Sequence, residues 1–415
     1  MDGRPRRKII NDPVHGFLTI RHASVFKIIE HPYFQRLRRI KQLGLSHLVY
    51  PGAMHTRYQH TLGAVHLMGL AIEELRAKGH TITDDEAEAV TLAILLHDIG
   101  HGPFSHALEF SIGSGVDHEM LSDLFMEHFA AEFGGLLPMA IEIFHDRYPK
   151  RFLHQLLSGQ LDMDRLDYLR RDSFFSGVTE GNVGSERIIR MLTVAGDDLA
   201  VEDKGVYSVE QFINARRIMY WQVYLHKTVL SAEFMLIKTL QRAKELARNG
   251  VNLFGTPAFT SFLSNDVSLA DFKADPMHLY RFAQLDDMDV ICSLKVWKDH
   301  PDPVLSRLSR MVTSRELLKV KLYPDPVPID KVNELRQMLM RETGLTAAEV
   351  EYLVFTDKIT NSAYDPRKDR INILYRDGSV CDITEATDTR NISMLSEKVE
   401  KHFLCVPAQI QAHLP

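Results

Sequence analysis

Cysteine is scarce in this chain: Cys292, Cys381 and Cys405 are the only three in 415 residues, far apart and never in a CxxC pair. That argues against a disulfide framework or a cysteine zinc site and fits a reducing compartment. No apolar run is long enough to span a bilayer, so no membrane association is expected. Arg4, Arg6, Arg7 and Lys8 begin the chain, but no apolar stretch follows them. No signal peptide is therefore evident, and a cytoplasmic location is expected. There is no internal repeat and no low-complexity segment. The formal net charge of −6 gives no general attraction to nucleic acid or to an anionic surface. The basic start reads as a solvated tail, with a polyanion contact as the alternative.

What is present is helix, then a change of character. The length exceeds one small core and favours a large lobe plus a smaller one. Residues 9–20 read as a short extended segment turning around Asp12-Pro13. Val25, Ile28 and Ile29 fit one helical face, and Pro32 suits a helix start. Leu62, Val65, Gly69, Ile72 and Leu75 keep a helical period. Thr83 and Glu86 form a capping-box pattern opening the helix that runs to His97, and Asp117 caps another. Helix is expected over most of 156–174, and over 208–248 as one or two long helices without proline or glycine. The stretch 250–265 reads as loop. Further on, 317–323, 350–355 and 370–375 read as strands, Asp377-Gly378 as a hairpin turn, and 329–342 as a helix. The expected fold is mainly α: a helical core over residues 1–300, with a smaller α+β lobe over 301–415.

The chemistry concentrates in four clusters: His55-Thr56-Arg57-Tyr58-Gln59-His60; the run from His97-Asp98 through His101 to His106, then Glu109; Asp117-His118-Glu119; and the segment from Asp162 to Asp172. Imidazole and carboxylate are the usual ligands of a hydrolytic divalent metal. Adjacent side chains on a helix point about 100° apart. His97 and Asp98 therefore share an ion only near a helix end, which Gly100 and Pro103 supply. His60, His97, Asp98 and Asp164 together offer two nitrogens and two oxygens, suited to manganese, iron, magnesium, nickel or zinc. Asp164, Tyr168 and Asp172 recur every fourth residue and share a helix face that suits a polar cleft. Arg57, Arg165 and Arg216 have the fork that matches phosphate oxygens. Tyr224, His226 and Lys227 also qualify as cleft residues. Isolated histidines such as His47, His66 and His154 read as surface or hydrogen-bonded groups, and Glu119 as first-turn charge.

Several segments together resemble the HD-domain phosphohydrolases, specifically the deoxynucleoside triphosphate triphosphohydrolases. They are Asn11-Asp12-Pro13-Val14-His15-Gly16, Phe34-Gln35-Arg36-Leu37-Arg38, Gln42-Leu43-Gly44, Tyr50-Pro51-Gly52-Ala53, Arg57-Tyr58-Gln59-His60-Thr61-Leu62-Gly63, the His97–His106 run, and Asp162-Met163-Asp164-Arg165-Leu166-Asp167-Tyr168. The resemblance covers residues 8–248 well and the C-terminal lobe loosely. It implies an HD-domain helical core with one metal on His60, His97, Asp98 and Asp164. It implies water attack at the α-phosphorus of a dNTP, releasing a deoxynucleoside and inorganic triphosphate. His106, Glu109 and His118 would transfer protons and contact phosphate, with His101 lining the pocket. Arg57, Arg165 and Arg216 would hold the triphosphate. Gln42, Leu43, Tyr168 and Asp172 would surround the sugar; Tyr168 would leave no room for a 2′-hydroxyl and Asp172 would read the 3′-hydroxyl. Tyr224 would sit near the base.

Lys8, Glu30, Gln35 and Arg38 match positions that bind an activating guanine nucleotide in allosteric members; the alternative is a subunit interface. A homo-oligomer, dimer or tetramer, is implied. The chain departs from the family at Tyr220 and Trp221, which replace polar residues near the base, and at Arg165, which replaces the lysine of the best-studied animal member. Two rival activities remain open: another phosphohydrolase reaction in the same cleft, on nucleotide monophosphates or phosphodiesters, and nucleotide sensing with little turnover.

Overall fold

A computed structural model describes residues 8–104, 115–367, 369–388 and 398–414. The chain opens with a hairpin, β1 (Lys8–Asp12) and β2 (Gly16–Ile20), paired antiparallel with Asp12 opposite Gly16. The turn is closed by Asp12, whose Oδ1 accepts from the Val14 and His15 amides at 2.9 Å each. Helix α1 (Ala23–Ile29) buries Val25, Ile28 and Ile29. The short α2 (Pro32–Gln35) starts with its proline in the first turn, as expected.

The next two helices, α3 (Arg57–Ala77) and α4 (Asp84–Leu96), form the centre of the core. Both are buried on most of their circumference, because other helices cover them from several sides. The Thr83–Glu86 capping box is present at the start of α4. Helix α5 (His118–Phe133) starts on Asp117, whose carboxylate accepts from the Met120 amide at 2.8 Å. The expected helix over 156–174 is two helices, α6 (Arg151–Leu157) and α7 (Met163–Ser176). The break at 158–162 exists because Asp162 caps α7, its Oδ1 accepting from the Arg165 amide at 2.7 Å.

Strands β3 (Leu192–Ala195) and β4 (Asp198–Glu202) lead into α8 (Val206–Met219). A π-helical turn over Tyr220–Tyr224 and a new cap on His226 separate α8 from α9 (Lys227–Arg248). The long stretch is therefore two helices, and its break carries Tyr224. The region expected to be loop, 250–265, contains a helix over Pro257–Ser264, because Thr256 accepts from the Phe259 amide and Pro257 fits the first turn.

Helix α10 (Pro303–Thr313) is followed by β5 (Lys319–Tyr323) and α11 (Ile329–Thr343), close to expectation. The strand expected at 350–355 is misplaced: Thr346 and Glu349 cap a helical turn over Ala347–Val350, and β6 runs over Phe355–Asn361. β7 (Asn372–Leu374) and β8 (Val380–Asp382) make the expected hairpin, with Gly378 at φ 88. β9 (Val399–Val406) is the centre of the sheet β5-β9-β6. A second sheet, β3-β4-β7-β8, joins the two parts of the chain through the parallel pair Ala200 and Asn372. The fold is mainly α. Among the described residues no helix is long and apolar enough to cross a membrane.

Candidate metal centre and active site

Three helix ends meet in the middle of the core. α3 begins at Arg57, with Gln59 reaching back to accept from the Thr56 amide at 2.8 Å. This start places Arg57 and His60 in its first turn. α4 ends at Leu96, so His97 and Asp98 follow in a turn where two adjacent side chains converge. α7 begins behind Asp162, which puts Asp164 in its first turn.

The three ends bring His60, His97 and Asp164 together, each offering a ligand atom within 4.8 Å of the others. Asp164 Oδ1 lies 3.0 Å from His60 Nε2 and 3.3 Å from His97 Nε2. Asp98 adjoins this set, its oxygens 3.8 Å from His60 Nε2 and 3.5 Å from His97 Nε2, while Arg57 donates to its Oδ2. Both rings are aimed from behind. His97 Nδ1 donates to Ile94 O at 2.7 Å, and His60 Nδ1 to Asp167 Oδ2 at 2.8 Å. Each ring thereby turns Nε2 toward the cluster.

His60 Nε2 is buried and has no hydrogen-bond partner of good geometry, with Asp164 Oδ1 3.0 Å away. An orphaned imidazole nitrogen facing a second imidazole and two carboxylates fits a divalent metal of the first transition row or magnesium. The electrostatics agree. Burial opposes a charged His60, but Asp164 and Asp167 outweigh it and raise the ring to about 10. Burial opposes an ionised Asp164 too, yet His60 and His97 hold its carboxyl below the usual range. The centre favours a cation.

The turn after α4 is clamped by α5. A Cβ on Gly100 would stand 2.1 Å from His118 O and 2.4 Å from the Ser122 amide, so only glycine fits. Ser122 Oγ accepts from the Gly100 amide at 2.9 Å and donates to His97 O at 2.7 Å. This packing stacks His118 on His101, ring centroids 3.8 Å apart. Burial, then Arg57, lowers His101 to about 3, so that ring is neutral. His106 and Glu109 lie outside the described residues.

Two of the cationic side chains, Arg165 and Arg216, act on Tyr168. Arg165 donates to Asp162, and Arg216 Nη1 donates to Gln160 Oε1 at 3.2 Å. The Nε atoms of both arginines are buried without a hydrogen-bond partner, as is Gln42 Oε1. Burial raises the Tyr168 phenol, and its titratable neighbours are Tyr220, Arg216, Arg165 and Asp164. The Tyr168 ring lies 6.4 Å from His60 and 6.2 Å from Tyr224. Asp172 accepts from His55 Nε2 at 2.7 Å and from Tyr224 OH at 2.8 Å. The Gln42 amide donates to His55 O at 3.0 Å, and Leu43 is half-buried beside it. His226 is the N-cap of α9, a structural post, and Lys227 is exposed.

The positions matched to a nucleotide site divide. Gln35, Arg38 and Tyr58 form one group: Arg38 donates to Gln35 at 2.8 Å and to Tyr58 OH at 2.6 Å, and lies 3.6 Å over the Tyr58 ring. Glu30 ends α1 and bears electrostatically on Tyr58. Lys8 lies 4.5 Å over Phe26.

Sequence reasoning passed over the supports. Asp167, fully buried, holds His60 and is itself held by Arg171 at 2.9 and 3.0 Å. The i, i+4 spacing of Asp167 and Arg171 was the available signal. Asp287 accepts from the Lys41 amide at 3.0 Å and the Phe104 amide at 3.1 Å, tying these two segments to one carboxylate. Buried Arg36 donates to Ile99 O and Leu285 O. Neither contact had a local signal.

A helical core that gathers a His-Asp dipeptide with a distant histidine and aspartate defines the HD class. The HD domain model matches residues 57–172, and the HD associated region matches residues 183–253. The chain belongs to the HD-domain phosphohydrolase superfamily. It is 33% identical over 367 residues to the Bacillus subtilis protein YwfO, covering 86% of this chain and 81% of that one. It is 31% identical over 280 residues to the Gallus gallus deoxynucleoside triphosphate triphosphohydrolase SAMHD1, covering 57% of this chain and 45% of that one. A crystal structure of a phosphohydrolase from Bacteroides thetaiotaomicron superposes with a TM-score of 0.93 at 56% identity, over 97% of this chain and all of that one.

Proposed function

We propose that the chain is a metal-dependent dNTP triphosphohydrolase, converting a deoxynucleoside triphosphate to a deoxynucleoside and inorganic triphosphate. The observation that carries this reading is the half-buried Tyr168, its ring 6.4 Å from His60 and in the field of Arg165 and Arg216, two arginines that each keep an Nε without a hydrogen-bond partner. That arrangement suits a polyphosphate whose sugar packs on a phenol. His60, His97 and Asp164, with Asp98, would hold one divalent ion. When bound, such an ion polarises a phosphoryl oxygen and lowers the pKa of a water.

The remaining work falls to the chain's own side chains. Arg57, Arg165 and Arg216 neutralise and orient the triphosphate. Neutral His101 and its stacked partner His118 lie beside Arg57 and Asp98, suited to hydrogen bonding phosphate and moving the proton of the leaving oxygen; His106 and Glu109 complete this set in the proposal. Asp172, held by His55 and Tyr224, presents a fixed acceptor for a sugar hydroxyl, and Gln42 and Leu43 close the same side. The relatives named as deoxynucleoside triphosphate triphosphohydrolases support the substrate class. We also propose a cytoplasmic homo-oligomer, with residues 1–300 as catalytic core and 301–415 as the smaller lobe, and with Lys8, Glu30, Gln35 and Arg38 as an activating-nucleotide site.

Chromatography of products from all four dNTPs, with and without GTP and across several divalent metals, tests the reading. Deoxynucleoside and intact triphosphate are expected. Orthophosphate released from a nucleoside monophosphate would favour another phosphohydrolase activity, and dNTP binding without turnover a sensing role.

A further inference from the structure

The N-terminal hairpin precedes every residue assigned to the metal centre, yet two of its side chains reach the support of that centre. Asp12 accepts from Arg171 through both oxygens, Oδ2 from Nη1 at 2.7 Å and Oδ1 from Nη2 at 3.3 Å. His15 Nε2 lies 2.7 Å from Asp167 Oδ1, to which it donates, since an ionised carboxylate only accepts. All four groups are out of solvent: the His15 side chain is 2% exposed, that of Asp12 4%, and those of Asp167 and Arg171 0%.

These contacts close a ring. Asp12 holds the His15 backbone through the turn and holds Arg171 through its carboxylate. Arg171 and His15 together occupy Asp167 Oδ1, and Asp167 Oδ2 takes Arg171 Nε and His60 Nδ1. Arg171 alone contacts both oxygens of Asp167 from one edge. His15 adds a second direction, which stops the carboxylate from turning about its Cβ–Cγ bond. The orientation of Asp167 in turn sets where His60 aims Nε2.

We infer that His15 is a positioning residue for the metal centre, acting through Asp167 on His60, with Asp12 anchoring it. The inference rests on the proposed metal ligation by His60, His97 and Asp164. His15 is bonded to Asp167 and Asp12 and not to that cluster's ligand atoms. Outer carboxylate partners of metal-bound histidines change affinity by roughly 10- to 100-fold when lost. His15 stands one link further out, so the low end of that range applies.

The test measures Mn2+ affinity of the full chain by equilibrium dialysis, beside the circular dichroism of the metal-free form. Wild type, Asp164→Ala, His15→Leu, His15→Gln and Asp12→Asn are compared. His15→Leu is expected to weaken Mn2+ binding roughly 10-fold while the metal-free chain keeps its helical spectrum. His15→Gln, which retains an N–H donor, is expected to recover most of that loss. Wild-type affinity in His15→Leu, with only the melting temperature lowered, would reduce His15 to a packing role and overturn the inference. Should His15→Leu fail to fold, Asp12→Asn decides: weakened Mn2+ binding supports the inference and unchanged binding overturns it. Asp164→Ala separates the two levels. If it binds Mn2+ like wild type, the ligation reading fails and takes this inference with it; if it loses Mn2+ while the folded hairpin variants do not, only the positioning role is refuted.

Discussion

Gly63 and Asp167 touch across the crossing of α3 and α7: a methyl group on the glycine would stand 1.9 Å from Asp167 Oδ1 and 2.3 Å from Arg171 Nη2. The absence of a side chain at residue 63 lets the carboxylate lie against α3 and reach His60, one turn earlier on the same helix. Gly63→Ala is therefore expected to push Asp167 away from His60. Overpacking of this kind costs about 1–3 kcal/mol. Urea unfolding of the metal-free chain should show a loss in that range, and metal content after dialysis should fall. A variant with wild-type stability and metal content would show that the crossing relaxes freely.

Asp164 faces both ring nitrogens, so its removal strips the cluster of the oxygen that links them. Asp164→Ala is expected to lose metal and turnover together, and chelation of wild type should mimic it with recovery on adding metal back. Elemental analysis beside a product assay checks both. A fully active, metal-replete Asp164→Ala protein would end the proposed mechanism.

Tyr168 occupies the space between the cluster and Tyr224. Under the proposed function its ring excludes a 2′-hydroxyl. Tyr168→Ala is expected to narrow the ratio of kcat/KM for dNTP over NTP by roughly tenfold or more, the scale on which pocket sterics discriminate. An unchanged ratio, with both values reduced equally, would assign Tyr168 to general substrate binding.

Glu86 supports α4, the helix that ends at Leu96 just before His97. Burial opposes its ionisation, but Lys150, the Thr83 amide and Tyr148 outweigh burial and hold its carboxyl below the ordinary value of 4.5. The unfolded chain therefore binds more protons below that value, and stability falls as pH drops. The contribution of Glu86 is complete above pH 4.5 and is lost as pH falls through its folded value. The stability difference between wild type and Glu86→Gln should accordingly be constant near neutral pH and close in acid. Denaturant titrations at a series of pH values measure it, and a gap that widens in acid would contradict the assignment.

Much of this molecule was legible residue by residue. The Thr83–Glu86 box, the Asp117 cap, the turn at Asp12 and the hairpin at Asp377-Gly378 rest on hydrogen bonds within a few residues, so local pattern finds them. The strand expected at 350–355 failed because Thr346 and Glu349 begin a helical turn there, and β6 is defined by pairing with distant β9. The candidate ligands were legible from the combination of His60, the His97–His106 run and Asp164, since a His-Asp dipeptide alone arises by chance.

Chain chemistry alone singled out which groups could meet: imidazoles, carboxylates and arginines, several of them on helix ends that local caps define. How they meet was set by packing across long separations. Arg57 takes hold of Asp98, Asp172 is shared by His55 and Tyr224, and Asp167 sits behind His60. Such contacts depend on how closely the helices cross, which small residues such as Gly63 and Gly100 permit through steric room. A steric allowance between distant segments leaves no periodic trace in either one.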